Sequence, residues 1–322
     1  MTTTDPVRTA GPPAIDTGAT LAQGLYANLE RVLLGAPGAV SVAVVAALSG
    51  GHLLLEDVPG VGKTVLARTI ATSLGAHLSR VQGHPDLLPT DVTGVSVYSP
   101  GTGTWTFRHG PVFAHVVLVD ELNRTPPRTQ SALLEAMEEQ QVTVDGTSWP
   151  LPIPHLVIAT QNPIGQLGTF PLVESQLDRF ALSTPLGYPD AAAEASLTLH
   201  HGGREALSAL QPVCSTHEWA RAIETTRHIR VAPEVAEYAV SICRATREVG
   251  GVRLGASPRA SITLVRSAQS HALLHGRDYV SPFDVHSMAI PCLAHRLVTD
   301  GEPGAGAHVV SEVLRTTPAP RP

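Results

Sequence analysis

Residues 52–64 read His-Leu-Leu-Leu-Glu-Asp-Val-Pro-Gly-Val-Gly-Lys-Thr. An apolar run ends in a Pro/Gly turn, and from Lys63 to about Leu74 the apolar positions take helical spacing. The order is strand, glycine-rich loop, helix. Working outward, two more apolar runs end in polar residues. His115–Val119 leads into Asp120-Glu121, and Leu156–Thr160 leads into Gln161-Asn162. Continuous apolar strands separated by helices predict a parallel α/β sheet covered on both faces. In such sheets ligand chemistry gathers beyond the carboxyl ends of the strands, where all three runs turn polar.

Around this core the chain divides by pattern. Residues 1–20 are rich in Thr, Pro, Gly and Ala and read as a flexible tail, as do residues 316–322. Apolar residues from Leu21 to Leu48 recur at helical spacing. The core spans 21–188. Within it, residues 83–112 carry turn formers and β-prone pieces (Val95–Tyr98, Thr104–Phe107), which predict a hairpin inserted into a helical connection. Residues 189–228 read as a linker and 229–315 as a small all-α lid. Helices only are expected after Pro189. Ser257-Pro258 and Ser281-Pro282 place Ser at an N-cap and Pro at the first helical position, a strong start signal.

Composition excludes several classes. Apolar residues make up 43% of the 322 and the net charge is −6, which favours a buried core over disorder. The longest apolar run, Ala39–Leu48, is about half the ~20 residues of a membrane span. No apolar segment marks the N-terminus as a signal peptide. Cys214, Cys243 and Cys292 are too scattered for a metal knuckle and odd in number for a disulfide set, so they read as reduced thiols of a cytoplasmic protein. The acidic balance gives no footprint for nucleic acid. The histidines are scattered and read as ordinary surface or core residues. Of the 22 basic residues, Lys63 is the one lysine.

That lysine lies in the stretch with the sharpest chemistry. Asp57–Thr64 resembles the phosphate-binding P-loop, G-x-x-x-x-G-K-[ST], with Asp57 at the first glycine position. Small residues let successive backbone N–H groups point at phosphate oxygens above a helix N-terminus. Asp57, Val58, Pro59, Gly60, Val61, Gly62, Lys63, Thr64 and Val65 would form this nucleotide-binding segment. The Asp57 carboxylate must point away from the phosphates. Lys63 would reach the β- and γ-phosphates, and Thr64 would ligate Mg²⁺. A compact ammonium suits a crowded phosphate cradle better than a planar guanidinium fork. Val116–Glu121 resembles a Walker B strand. Asp120 would help hold Mg²⁺ and Glu121 would orient the attacking water. Asn162 suits a γ-phosphate sensor, although on its own it also reads as a turn former before Pro163. Arg179, in Glu174–Phe180, suits an arginine finger given to a neighbouring subunit, or a surface Asp–Arg pair. Arg259 suits a lid arginine that contacts phosphate, or a solvated side chain; near a helix N-terminus its charge opposes the local dipole.

The order of these motifs resembles the AAA+ ATPases. Three longer stretches, Leu55–Thr64, Asp120–Glu139 and Ala159–Pro163, are similar to the MoxR family, over about residues 22–297. Within that family Asp or Gly is usual at the first P-loop position. Gly83-His84, Gly165, Val173 and Ser175 depart from the family pattern. The resemblance implies a ring-forming, hexameric ATPase that uses ATP and Mg²⁺. It implies chaperone-like remodelling of a protein client beside a partner with a von Willebrand factor A domain. A metal-chelatase motor subunit, a nucleic-acid-dependent AAA+ motor and a non-catalytic switch are the alternatives. Glu121 beside Asp120 argues against the last, because a pure binder has no need of the second acid.

Overall fold

The computed structural model describes residues 15–162, 168–199, 204–301 and 304–320. Helices α1 (Ile15–Val32) and α2 (Pro37–Ser49) precede β1 (Leu53–Glu56) and α3 (Lys63–Ser73). β2 (Leu78–Gln82) leads through α4 (Pro89–Thr93) to a hairpin, β3 (Gly94–Ser99) and β4 (Thr104–His109), which lies within residues 83–112. β5 (Val116–Asp120), α5 (Pro127–Glu139), the hairpin β6 (Gln141–Val144) and β7 (Thr147–Pro150), and β8 (Leu156–Gln161) follow. α6 (Glu174–Leu177) and β9 (Leu182–Thr184) complete the α/β core. The remainder is α7 (Ala191–Leu199), α8 (Arg204–Ser208), α9 (Thr216–Arg227), α10 (Pro233–Ala245), β10 (Val252–Leu254), α11 (Pro258–Leu274), α12 (Pro282–Leu293), β11 (Val298–Thr299) and α13 (Ala305–Thr316).

Five strands form one parallel sheet in the order β2-β5-β8-β1-β9. Its middle, β5, β8 and β1, is the three apolar runs. Side chains alternate between two cores: Val116, Leu118, Leu156 and Ile158 face one, and Val117, Val119, Val157 and Ala159 face the other. The flanking strands escape the hydrophobic pattern. β2 lies at the sheet edge, half-buried, and tolerates Ser79, Arg80 and Gln82. β9 has only three residues.

Three boundaries differ from the sequence reading. The tail does not extend to residue 20, because α1 begins at Ile15 and buries Gly18 and Ala19. The small residues there serve packing: a Cβ at Gly18 would lie 3.2 Å from Thr225 and 3.4 Å from Leu273. The 189–228 segment is not a linker, since α9 buries Trp219, whose indole N–H donates to the Ala47 carbonyl at 2.8 Å. Its N-terminus is a capping box, with Ser215 and Glu218 satisfying each other's backbone amides. The lid is not purely helical: β10 and β11 pair antiparallel across its edge.

The helix α2 shows how core and lid are joined. Its residues from Val42 to Leu48 are all buried. A helix apolar all round must be covered all round, and α1, α9 and α11 pack on it. One hydrophobic core therefore runs from the sheet through α2 into the lid helices.

Candidate active site

The loop after β1 turns on Gly60 (φ 90°) and Gly62 (φ 103°), left-handed values that side-chain-bearing residues avoid. Gly62 is also the N-cap of α3, so the loop's amides lie at a helix N-terminus. The Asp57 carboxylate turns away from this cradle, as the motif requires. Oδ1 accepts from Val58 N at 2.8 Å, and Oδ2 accepts from Leu186 N at 2.8 Å and Gly187 N at 2.7 Å. The departure from glycine thus ties the loop to the segment after β9. Lys63 Nζ folds over the loop and donates to the carbonyls of Asp57 (2.6 Å) and Val58 (3.1 Å). Burial pushes its ammonium below the usual lysine range, opposed by the charges of Asp57, Asp120 and Glu121.

The acid pair sits opposite. Buried Asp120 accepts from Arg80 Nε of β2 at 2.7 Å. Glu121 leaves the strand in the left-handed region (φ 56°), with its amide donating to Thr160 Oγ1 at 2.9 Å. Its Oε2 accepts from Gln82 Nε2 at 3.3 Å and Arg124 Nη1 at 3.2 Å. Asn162 directly follows β8, and its carbonyl accepts from Asn123 Nδ2 at 3.3 Å. Pro59, Lys63, Thr64, Asp120, Glu121 and Asn162 line one cavity of about 220 Å³. An adjoining cavity of about 200 Å³ shares Gly60, Gly62 and Val65 and is otherwise apolar, with Val32, Val61 and Leu197 on its walls.

The two predicted arginines are elsewhere. Arg179 and Arg259 line a third cavity, of about 370 Å³, with Glu138, Arg266 and Arg296. Neither lines the cavity around Lys63 of its own chain. The Glu138 carboxylate takes Arg179 Nη2 at 3.2 Å and Arg259 Nη1 at 2.9 Å. The neighbouring Asp178 reaches the lid, accepting from Arg296 Nε at 2.8 Å. Arg296 is buried and also donates to the carbonyls of Phe180 (2.7 Å) and Ala181 (3.2 Å).

Sequence reasoning missed the partners of these groups. Arg80 and Gln82 belong to the edge strand that carried no apolar signal, and Arg124 and Glu138 lie within the MoxR-like stretch Asp120–Glu139 with no role of their own legible in it. Gln130, buried in α5, donates to the carbonyls of Leu122, Thr125 and Phe170 and so ties the chain that follows the acid pair to the chain that follows Asn162. Gly165 lies outside the described residues.

Comparison with known proteins bears on the whole arrangement. The profile of the ATPase family associated with various cellular activities (AAA) matches residues 52–182, and that of the AAA lid domain matches 244–316. Chaperone MoxR1 of Mycobacterium tuberculosis is 38% identical over 94% of this chain and 83% of its own length. The chain belongs to the MoxR family of AAA+ ATPases. The protein YeaC of Bacillus subtilis is 45% identical over 85% of this chain and 86% of its own. A crystal structure of a protein classed as an ATPase from Cytophaga hutchinsonii superposes with a TM-score of 0.87 at 32% identity, covering 95% of this chain and 97% of that one. Membership in the MoxR family makes this chain an ATP-hydrolysing enzyme with an α/β core and a lid.

Proposed function

We propose that this MoxR-type ATPase works as a ring, as a hexamer, and couples Mg-ATP hydrolysis to chaperone-like remodelling of a protein client. The observation that carries this reading is the division of the reactive groups. The lysine, threonine and acid pair line one cavity, and the two arginines line another. A site with all of them then requires two copies of the chain.

The roles follow from placement. The amides of residues 60–64 and the Lys63 ammonium bind the phosphates. The apolar cavity beside them receives the base. Thr64 Oγ1 and the Asp120 carboxylate are hard oxygen donors suited to Mg²⁺. An ion held by these two residues would take its remaining ligands from phosphates and water. When bound, Mg²⁺ would neutralise charge on the β- and γ-phosphates. Glu121, oriented by Gln82 and Arg124, polarises the attacking water, and Asn162 positions it. Arg179 and Arg259 stabilise the charge that develops on the nucleotide of a neighbouring subunit. A finger of this kind contributes roughly 10³–10⁵ in rate. The hairpin β3–β4 exposes Val95, Val97, Tyr98 and Trp105 and suits contact with a client. The chaperone name of the mycobacterial relative supports remodelling, and a von Willebrand factor A-domain partner in the cytoplasm completes the reading. No helix among the described residues is long and apolar enough to cross a membrane.

Subunit mixing tests the division. Arg179→Ala should bind ATP normally and hydrolyse it at least about 100-fold more slowly. Mixed with Lys63→Ala, which cannot use its own site, it should regain activity. No recovery at any ratio, with mixed rings demonstrated, would reject action between subunits.

A further inference from the structure

Glu138 occupies a position that the reaction scheme above leaves without a role. The helix that carries it, α5, starts beside the acid pair and ends at the arginine cavity, where the Glu138 carboxylate bridges Arg179 and Arg259. The bridge is divided. Oε2 takes one terminal nitrogen of Arg179 at 3.2 Å, and Oε1 takes one terminal nitrogen of Arg259 at 2.9 Å. Each guanidinium carries five N–H donors, so most of each fork remains for another acceptor.

The two arginines come from different parts of the fold, one from the turn after α6 and the other from lid helix α11. Neither can shed its charge, and side by side they repel. A carboxylate set between them offsets that repulsion and fixes their spacing. The arginine side chains stay 29% and 50% exposed, within reach of an incoming ligand. The cavity also keeps a positive balance. Arg296 is paired with Asp178, but Arg266, two turns along α11 from Arg259, adds a third cation against the single Glu138 carboxylate. An anion can therefore enter without displacing Glu138.

We infer that Glu138 is a positioning residue, which presents Arg179 and Arg259 as one two-pronged receptor for the terminal phosphate of a nucleotide held by a neighbouring copy of this chain. The inference rests on the proposed action of the arginines between subunits. It makes Glu138 part of the donor face and gives it no part in its own chain's nucleotide site.

The test uses Glu138→Ala and Glu138→Gln in the full-length protein, with steady-state ATPase kinetics, affinity for a fluorescent ATP analogue and ring assembly by sedimentation. For Glu138→Ala we expect unchanged nucleotide affinity and KM and a kcat lower by about 10- to 100-fold, the scale of a misplaced reacting group. Glu138→Gln keeps one acceptor oxygen, enough for one arginine, and should fall between Ala and the parent. If Glu138→Ala does not assemble, the Gln variant carries the test alone. Mixing with Lys63→Ala, whose donor face is intact, should restore turnover, which a structural fault within α5 would not allow. Unchanged turnover would overturn the inference. So would faster turnover, which would make the carboxylate a competitor of the phosphate. A loss not rescued by Lys63→Ala, while Arg179→Ala is rescued, would overturn it as well. Failure to rescue Arg179→Ala would remove the reading beneath it and the inference together, and so marks a different failure.

Discussion

Glu121 holds a backbone conformation that costs a side-chain-bearing residue about 1–2 kcal/mol, and its neighbours keep it there. Its amide donates to Thr160 Oγ1, and its carbonyl lies where a Cβ on Gly83 would overlap it. The glycine that departs from the family pattern is thus the residue that leaves room for the turn. Two variants separate chemistry from placement. Glu121→Gln should bind ATP and turn over at least about 100-fold more slowly, as loss of a water-orienting base requires; near-parental turnover in a single-turnover assay would reject that role. Gly83→Ala keeps every reactive group but must push the Glu121 backbone aside. We expect kcat to fall about tenfold with nucleotide affinity intact, and an unaffected kcat would show that the close approach is immaterial. Lys63, Thr64, Asp120 and Glu121 were legible in the sequence because each sits at a fixed offset from a strand or glycine turn. Gln82 and Glu138 were not, because their meaning lies in contacts 39 residues away, to Glu121, and 121 residues away, to Arg259.

Helix and strand starts repeat this lesson one level up. Ser257 accepts from the Ala260 amide at 3.2 Å, so the Ser-Pro signal marked the start of α11 correctly. The same signal at Ser281 opens α12, but there the capping residue Asp284 does more than cap. Fully buried, it takes Arg277 through both oxygens at 2.6 Å, His271 Nδ1 at 2.6 Å, and the amide and hydroxyl of Ser281 at 2.7 Å. These donors hold its carboxyl well below the usual range against the opposing effect of burial. The cluster pins the end of α11 to the start of α12. Asp284→Ala would leave a guanidinium and an imidazole facing each other without a counter-charge. Breaking a buried ion pair from one side costs about 3–5 kcal/mol, and we expect a loss of that size in urea denaturation; a loss under 1 kcal/mol would mean that water replaces the carboxylate. The sequence showed the cap but not the cluster, since His271 and Arg277 are summoned by the turn between the two helices. The edge strand β2 was hidden for the opposite reason: half-exposed, it has no need of an apolar run.

At the scale of the molecule, the core and the lid share their hydrophobic interior, and histidines that are buried (His52, His155) or half-buried (His295) stand at several of its seams. His52, at the start of β1, accepts from the Val157 amide on Nδ1 at 3.1 Å, and its Nε2 lies 3.3 Å from the Met137 carbonyl. His295, after α12, lies 3.1 Å from the Phe180 carbonyl and joins lid to core. Desolvation drives both imidazoles down to about 3, and it lowers His155 as well. His52 and His295 are therefore neutral in the folded chain at any pH near neutrality. Once unfolded, the same side chains titrate near 6.5. Between those two values the unfolded chain binds protons that the folded one refuses, so stability is complete above about pH 6.5 and falls as the pH drops toward 3. The carboxyls with lowered values, Asp284 and Glu218, act below the ordinary carboxylate range and leave the window between pH 7.5 and 5.5 to the histidines. Over that window linkage assigns about 1.4 kcal/mol to each fully suppressed histidine, or about 3 kcal/mol for His52 and His295 together. The urea midpoint of the apo protein should shift down accordingly at pH 5.5. Replacing His295 with Asn, which cannot be protonated, should remove about half of the slope. A midpoint that stays level between pH 7.5 and 5.5 would mean that the seams admit water and let these imidazoles charge in place.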